Sequence, residues 1–384
     1  MTENMKVVIA CDSFKGCLTS REAGEAAAEG VRLAIPEAET IVVPVADGGE
    51  GTVDALVDCL HGYRATSDVK GPLGDTTKAL YGICGATAVI EIAEASGLTL
   101  IPAERRNPWL TSSYGTGQLI RDALQHGCRN FLIGLGGSAT NDGGTGMLRA
   151  LGYRFLDKDG RDVGDTGGDT ADIVSIDVSG RLPELEEATF TVACDVTNPL
   201  IGPNGASHVF GRQKGADSEM ARRLDNALTL FAAVTAKISD TDFSYHPGAG
   251  AAGGLGFAFL AFLKGNLKPG IEMVLDTIDF DAKLPGASIV ITGEGHLDSQ
   301  TCMGKTPYGV LRHAAALGIP VIAIGGAVDS AAEESLLRAG FDSIHAVTPP
   351  GMPLERAMHP ETAIANIKRT VAGILADAQI PSSR

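Results

Sequence analysis

The feature that most limits what this chain can fold into is a series of short apolar runs, rich in Val and Ile and closed by glycine or charge. They fall at Lys6–Cys11, Thr40–Val45, Ala88–Ala93, Asn130–Leu135, Thr189–Cys194, Ser288–Thr292, Val321–Ile324 and Ser343–Val347. Runs of this kind mark strands buried in a parallel sheet. Between them lie segments of helical character at Thr19–Ile35, Thr52–Leu60, Gly117–Gln125, Met220–Ala236, Leu255–Leu263, Tyr308–Leu317, Ala331–Ala339 and Glu361–Ala378. The first opens on Thr19-Ser20-Arg21-Glu22 before an alanine-rich stretch, which predicts a capped start. Strand alternating with helix predicts an α/β fold.

At 384 residues the chain is long enough for two domains. Its two ends read as one doubly wound, Rossmann/flavodoxin-like α/β domain of residues 1–80 and 285–384. The middle, residues 81–284, reads as an inserted second α/β domain, less regular and with glycine clusters at 134–146, 202–215 and 248–256. A cleft where the two meet is the expected home of a small-molecule site.

Composition excludes several classes of function. Thirty-one basic residues stand against 47 acidic ones, a net charge of −16, which is the wrong sign for a nucleic-acid partner. Seven widely spaced cysteines form no C-x-x-C pair, and no local Cys/His group has zinc spacing. The N-terminal MTENMKVVIACDS does not read as a signal peptide, and no run of 18 apolar residues suits a membrane. A cytoplasmic, reduced enzyme without a membrane partner is expected. The 49 glycines, close to twice the usual share of about 7%, cluster in short loops.

Five of those loops follow strands, and strand carboxyl ends are where open α/β sheets bind ligands. Asp12-Ser13-Phe14-Lys15-Gly16 can set a cation over an anionic substrate, or can be a turn whose charges face water. Ala46-Asp47-Gly48-Gly49-Glu50-Gly51-Thr52 places glycine N–H groups ahead of a helix, suited to an anion, while Asp47 and Glu50 suit a metal or hydroxyl. The segment from Gly134 to Gly146 offers Gly136, Gly137, Ser138, Thr140 and Asn141 as phosphate contacts, with Asn141 or Asp142 able to hold Mg²⁺. Asp195 ends a Val/Thr run, where a base or metal ligand belongs; Asn198 can simply start the turn into Pro199; Arg212 and Lys214 add cations. In Thr292-Gly293-Glu294-Gly295-His296-Leu297-Asp298, Glu294 and Asp298 can be metal or hydroxyl partners, with Lys305 facing an anion and His296 read as incidental. The inventory lacks a nucleophile elbow, a P-loop and the dinucleotide fingerprint. It suits phosphoryl transfer, which needs positioning and charge neutralisation above all.

These loops resemble the type I glycerate kinase family over essentially the whole length. The resemblance rests on Asp12–Gly16, Ala46–Thr52, Gly134–Gly144, Cys194–Leu200, Gly248–Gly256 and Thr292–Gly295, in the family's order. It implies a two-domain α/β fold and ATP-dependent, Mg²⁺-assisted phosphorylation of D-glycerate on its 2-hydroxyl, giving 2-phosphoglycerate. It brings in Gly253 and Gly254 as further binding candidates. Cys17 stands where the family usually has Ser, and Arg212 where Pro is common; the second adds a cation near a substrate loop.

By chemistry Asp195 is the first candidate to deprotonate or orient the attacking hydroxyl, with Asp47 and then Asp298 as competitors. Lys15 is the candidate to neutralise the glycerate carboxylate or the transferring phosphoryl. Binding candidates are Asp12, Ser13, Gly48, Gly49, Glu50, Gly136, Gly137, Ser138, Thr140, Asn141, Asn198, Lys214, Gly253, Gly254 and Lys305, and metal candidates are Glu294 and Asp298. Rival readings are a kinase for the 3-hydroxyl or another small hydroxy acid, a silent nucleotide or sugar-acid sensor, and a nicotinamide oxidoreductase. A homo-oligomer is compatible with all of them.

Overall fold

The structure is a computed structural model that describes residues 5–239 and 241–378. Residues 1–4, where the N-terminal segment read for a leader begins, lie outside the described residues. In chain order its strands are β1 (Lys6–Cys11), β2 (Glu39–Val42), β3 (Tyr63–Lys70), β4 (Thr76–Cys84), β5 (Thr87–Glu91), β6 (Asn130–Gly134), β7 (Arg154–Leu156), β8 (Ser175–Asp177), β9 (Thr189–Ala193), β10 (Asn266–Lys268), β11 (Ile289–Leu297), β12 (Val321–Val328) and β13 (Ser343–Ala346). The chain divides into two units. Unit 1 takes the residues up to Asp47, Asp54–Leu60 and those from Val274 on; unit 2 takes Gly48–Val53 and His61–Met273.

Unit 1 is built on a five-stranded, wholly parallel sheet in the order β13-β12-β11-β1-β2. Val7, Ile9 and Cys11 of β1 point into a core shared with Ala23, Ala27 and Val31 of the Ser20–Ala34 helix and Ile367 and Val371 of the Pro360–Ala378 helix. The alternate residues Val8, Ala10, Val290 and Ala323 are buried as well, so both faces are covered. That is why these strands read as unbroken apolar runs. The Ser20–Ala34 helix starts as expected: the Thr19 hydroxyl accepts from the Glu22 N–H at 3.2 Å, and the Glu22 carboxylate accepts from the Thr19 N–H at 2.8 Å. Strand order reverses at β1, with β2 on one side and β11 on the other. A crevice at the carboxyl ends of these strands is where such a sheet accepts ligands.

Unit 2 has a six-stranded mixed sheet, β10-β9-β6-β5-β4-β3, and a small β7–β8 hairpin. Its β10, β9, β6 and β5 are parallel, while β4 and β3 are added antiparallel. The core is aromatic: Phe131 stacks on Phe190 at 4.8 Å, and Phe155 and Phe257 both meet Phe231 edge-on. The boundaries differ from those read near residues 80 and 285. Residues 61–80 belong to unit 2 because β3 pairs with β4 along its full length, from Tyr63↔Ile83 to Lys70↔Thr76. Residues 274–284 belong to unit 1.

Candidate active site

In unit 1, β1 and β11 run side by side to the Cys11↔Gly293 pair, and the Asp12 N–H then donates to the Gly293 carbonyl at 2.8 Å. The ladder thereby puts Asp12 and Glu294 at neighbouring strand ends. Both line a cavity of about 560 Å³ together with Ser13, Lys15, Asp47 and Lys305, and every residue lining it belongs to unit 1. Six residues from three sequence motifs are thus brought together.

Asp12 is buried. Its Oδ1 accepts from the Ser13 N–H and its Oδ2 from the Thr306 hydroxyl, each at 2.6 Å. Burial, reinforced by the negative charge of Asp47, pushes this carboxyl up to about 7; the two hydrogen bonds and the Lys15 ammonium only partly oppose them. A carboxyl placed there can exchange a proton near neutrality. Burial also raises Glu294, whose Oε1 accepts from the Thr301 hydroxyl at 2.8 Å. The Lys305 ammonium lies 3.6 Å from Glu294 Oε2 and donates to Asp298 Oδ1 at 3.1 Å. Lys305 therefore ties together the two residues read as metal ligands. Asp298 does not line the cavity, whereas the exposed His296 does. Among the described residues, no three Asp, Glu, His or Cys side chains form a metal-holding group. The cavity's carboxylate oxygens nonetheless suit Mg²⁺, a hard cation that takes one or two carboxylates and completes its shell with phosphate and water.

In unit 2 the remaining candidates lie at the carboxyl edge of the mixed sheet. Gly48, at φ +86°, rests on the end of β9: a Cβ there would sit 2.4 Å from that of Ala193. A Cβ on Gly134, at the end of β6, would come within 2.3 Å of the Gly48 carbonyl oxygen, and one on Gly136 would be 3.5 Å from the Gly49 Cα. Glycine is required there because two backbones approach closely. Asp195, just past β9, is exposed, and its Oδ1 accepts from the Gly270 N–H at 2.9 Å, which fixes the carboxylate's direction. Glu50 is exposed, and Gly136 and Gly137 present exposed backbone.

The polar side chains of the glycine-rich loop turn inward. Ser138, Thr140, Asn141, Asp142 and Lys214 are all buried. Lys214 Nζ donates to the Thr140 carbonyl at 2.7 Å and to Ser138 Oγ at 3.3 Å; Asn141 Nδ2 donates to Ser207 Oγ at 3.0 Å. Asp142 collects the Ser113 hydroxyl and the N–H groups of Ser113, Gly144 and Gly146 at 2.6 to 3.2 Å. Burial drives the Lys214 ammonium down to about 7, against the pull of Asp142. Gly253 and Gly254, at φ +69° and +98°, close against Thr140 and Gly143. Asn198 Nδ2 donates to the Asn204 carbonyl at 2.8 Å and holds its own loop. These residues brace the loop from behind, and its exposed face is glycine backbone.

Sequence reasoning missed the cavity's far wall, built by Val347, Met352, Leu354, Ala357, Met358 and Asn366. Val347 and Asn366 fall in an apolar run and a helical segment that the sequence marks, while Leu354, Ala357 and Met358 sit at helical spacing on the single turn Leu354–Ala357 and just past it, too short a stretch for a period to register.

An α/β chain whose one sheet gathers carboxylates and lysines around a cavity at its strand ends, and whose other sheet ends in exposed glycine backbone, has the equipment of a phosphotransferase. The comparisons agree. The model of the glycerate kinase family matches residues 7–379. The chain is 46% identical over 378 residues to a glycerate kinase of Bacillus subtilis (strain 168), covering 98% of each. It is 48% identical over 326 residues to a glycerate 2-kinase of Escherichia coli (strain K12), covering 84% of this chain and 86% of the other. A crystal structure from Salmonella typhimurium LT2 assigned as glycerate kinase 2 superposes with a TM-score of 0.90 at 44% identity, covering 98% of this chain and 99% of that one. The chain belongs to the glycerate kinase family. It is therefore an enzyme of a kinase family, which implies glycerate as small-molecule substrate and ATP as co-substrate. No helix among the described residues is long and apolar enough to cross a membrane.

Proposed function

We propose that this enzyme transfers the γ-phosphoryl group of ATP to the 2-hydroxyl of D-glycerate, giving 2-phosphoglycerate and ADP. The observation that carries the reading is the gathering of Asp12, Asp47, Glu294, Lys15 and Lys305 around one cavity in a chain of this family. The name of the Escherichia coli relative favours the 2-hydroxyl. In our reading unit 1 is the Rossmann/flavodoxin-like domain, supported by its parallel sheet and reversed strand order, and the enzyme works in the cytoplasm.

In the reaction the glycerate oxygen attacks the γ-phosphorus, its proton passes to a carboxylate, and the bond from the γ-phosphorus to the β–γ bridging oxygen breaks as ADP leaves. Asp195, exposed and oriented by Gly270, is the proposed proton acceptor, and Asp47 is its competitor. Lys15 and Lys305 offset negative charge on the phosphates, and the exposed backbone of Gly136 and Gly137 offers N–H donors. Glu294 and Asp298, the metal candidates, would hold Mg²⁺ with phosphate and water completing its shell; when bound, the ion would neutralise charge on the phosphates.

Phosphorus NMR of the enzyme with ATP, Mg²⁺ and D-glycerate tests this directly. A 2-phosphoglycerate resonance is expected. A 3-phosphoglycerate resonance would overturn the regiochemistry, and unchanged ATP beside glycerate binding would overturn the activity. Asp195→Asn should lower kcat by about 10²-fold or more; a near-normal kcat would remove Asp195 from the role.

A further inference from the structure

The cavity of unit 1 has two chemically different ends. One carries the carboxylates and lysines described above. The other is walled by Val347, Met352, Leu354, Ala357 and Met358. A three-carbon acid with a hydroxyl or carboxylate on every carbon has no use for that wall. Its volume of about 560 Å³ falls in the roughly 300–1,000 Å³ range of sites that enclose larger organic ligands. Leu354 is 74% exposed and Met358 40% exposed although both line the cavity, so apolar surface stands there without protein cover.

One buried polar group faces the same space. Asn366 is 2% exposed and lines the cavity. Arg369 donates to its Oδ1, which sets the amide so that Nδ2 meets Met352 Sδ at 3.6 Å. A thioether is a weak acceptor, so this buried donor retains capacity for a better one. Beside it the β12–β13 ladder ends at the Gly325↔Ala346 pair while β12 runs on to Val328, and Ala327 on that stretch lines the cavity.

We propose that the apolar end of this cavity seats the adenine base of the nucleotide, with Asn366 Nδ2 donating to a ring nitrogen and the phosphates directed to the Lys15–Lys305 end. A flat heterocycle with acceptor nitrogens fits apolar walls that carry a single donor. The inference rests on the reading that ATP is the phosphoryl donor, and it adds where and by which side chains the base is held.

The test uses the full chain and ADP as probe. Ala357→Trp fills the apolar end from a short surface helix, and Asn366→Leu removes the donor. In each, the ADP dissociation constant by calorimetry and the KM for ATP should rise about tenfold or more, with the KM for glycerate within about twofold. Binding of inorganic tripolyphosphate, which needs no base seat, should be unchanged. Cys17 lines the same cavity, so ADP should slow its alkylation, followed by peptide mass. Should either variant fail to fold, Leu354→Glu, at a mostly exposed position, carries the same expectation. Unchanged ADP affinity in the folded variants, or a rise confined to the KM for glycerate, overturns the inference. If the wild type binds ADP, loses that binding on substitution and phosphorylates no glycerate, the base seat stands and the proposed activity falls.

Discussion

Two ionisable side chains show what burial does to charge in this enzyme. Asp12 has an ordinary value of 3.8 in the unfolded chain and about 7 in the fold, so the folded state retains a proton that the unfolded state has lost between those limits. The cost of ionising Asp12 is absent below pH 3.8, grows through the window, and is complete above about 7. Asp12→Asn, which keeps an acceptor for Thr306, should therefore gain stability on the wild type as pH rises from 5 to 8. The gain should reach up to about 2 kcal/mol in urea unfolding; a pH-independent difference would show that the carboxyl ionises normally. Lys214 has the opposite sign. Its folded value is depressed from 10.5 to about 7, so the penalty of burying the ammonium is full below 7 and lifts as pH rises to 10.5. Lys214→Met strands the Thr140 carbonyl and should cost about 1–3 kcal/mol at pH 9. The loss should be smaller at pH 6, where the wild type carries its own penalty; equal losses at both pH values would contradict a depressed Lys214.

At the scale of elements, the Ser20–Ala34 and Pro360–Ala378 helices pack at a point that Gly30 makes possible. A Cβ on Gly30 would lie 2.7 Å from the Lys368 carbonyl oxygen and 2.9 Å from the Val371 Cβ. Helix propensity favours alanine over glycine by about 1 kcal/mol, yet the opposing obstacle is backbone, which cannot rotate aside. Gly30→Ala should therefore lower stability, by about 1–3 kcal/mol in thermal or urea unfolding; a stabilised variant would show that the helices part without cost. The eight apolar runs are all strands, and the eight helical segments are all helices, because each buries a continuous face and advertises it locally. What escaped were the three-residue strands β7, β8 and β10 and, more consequentially, the β3–β4 hairpin. Its outer strand, Tyr-Arg-Ala-Thr-Ser-Asp-Val-Lys, is mostly exposed and buries only Val69 fully, so it carries almost no apolar signal. The strands β11 and β12 also run further than their first apolar runs, to Leu297 and Val328, because ladder pairing continues through Glu294↔Gly325, His296↔Ala327 and Leu297↔Val328, past the Gly293-Glu294-Gly295-His296 and Gly325-Gly326 stretches that interrupt the apolar pattern.

Across the whole molecule, the sequence by itself determined the α/β class, the positions of the buried strands and helices, the capped start at Thr19, and membership of the glycerate kinase family. All of these depend on short-range pattern: apolar periodicity, turn chemistry, and glycine beside polar residues at strand ends. Tertiary structure alone decided which polar side chains of those loops line a cavity or lie exposed and which are buried in bonds to the protein itself. Ser138, Thr140, Asn141 and Lys214 look like phosphate contacts in the sequence, but they are buried as braces, since Lys214 lies 74 positions from the carbonyl it holds. Asp12 gains its Thr306 partner across 294 positions, and its neighbour Glu294 through a ladder between the two ends of the chain. The apolar wall from Val347 to Met358 becomes a wall only when β12 and β13 bring it beside β1. A side chain's direction and its dielectric surroundings are set by contacts remote in sequence, so composition and spacing can nominate a chemical group but the packed fold assigns its work.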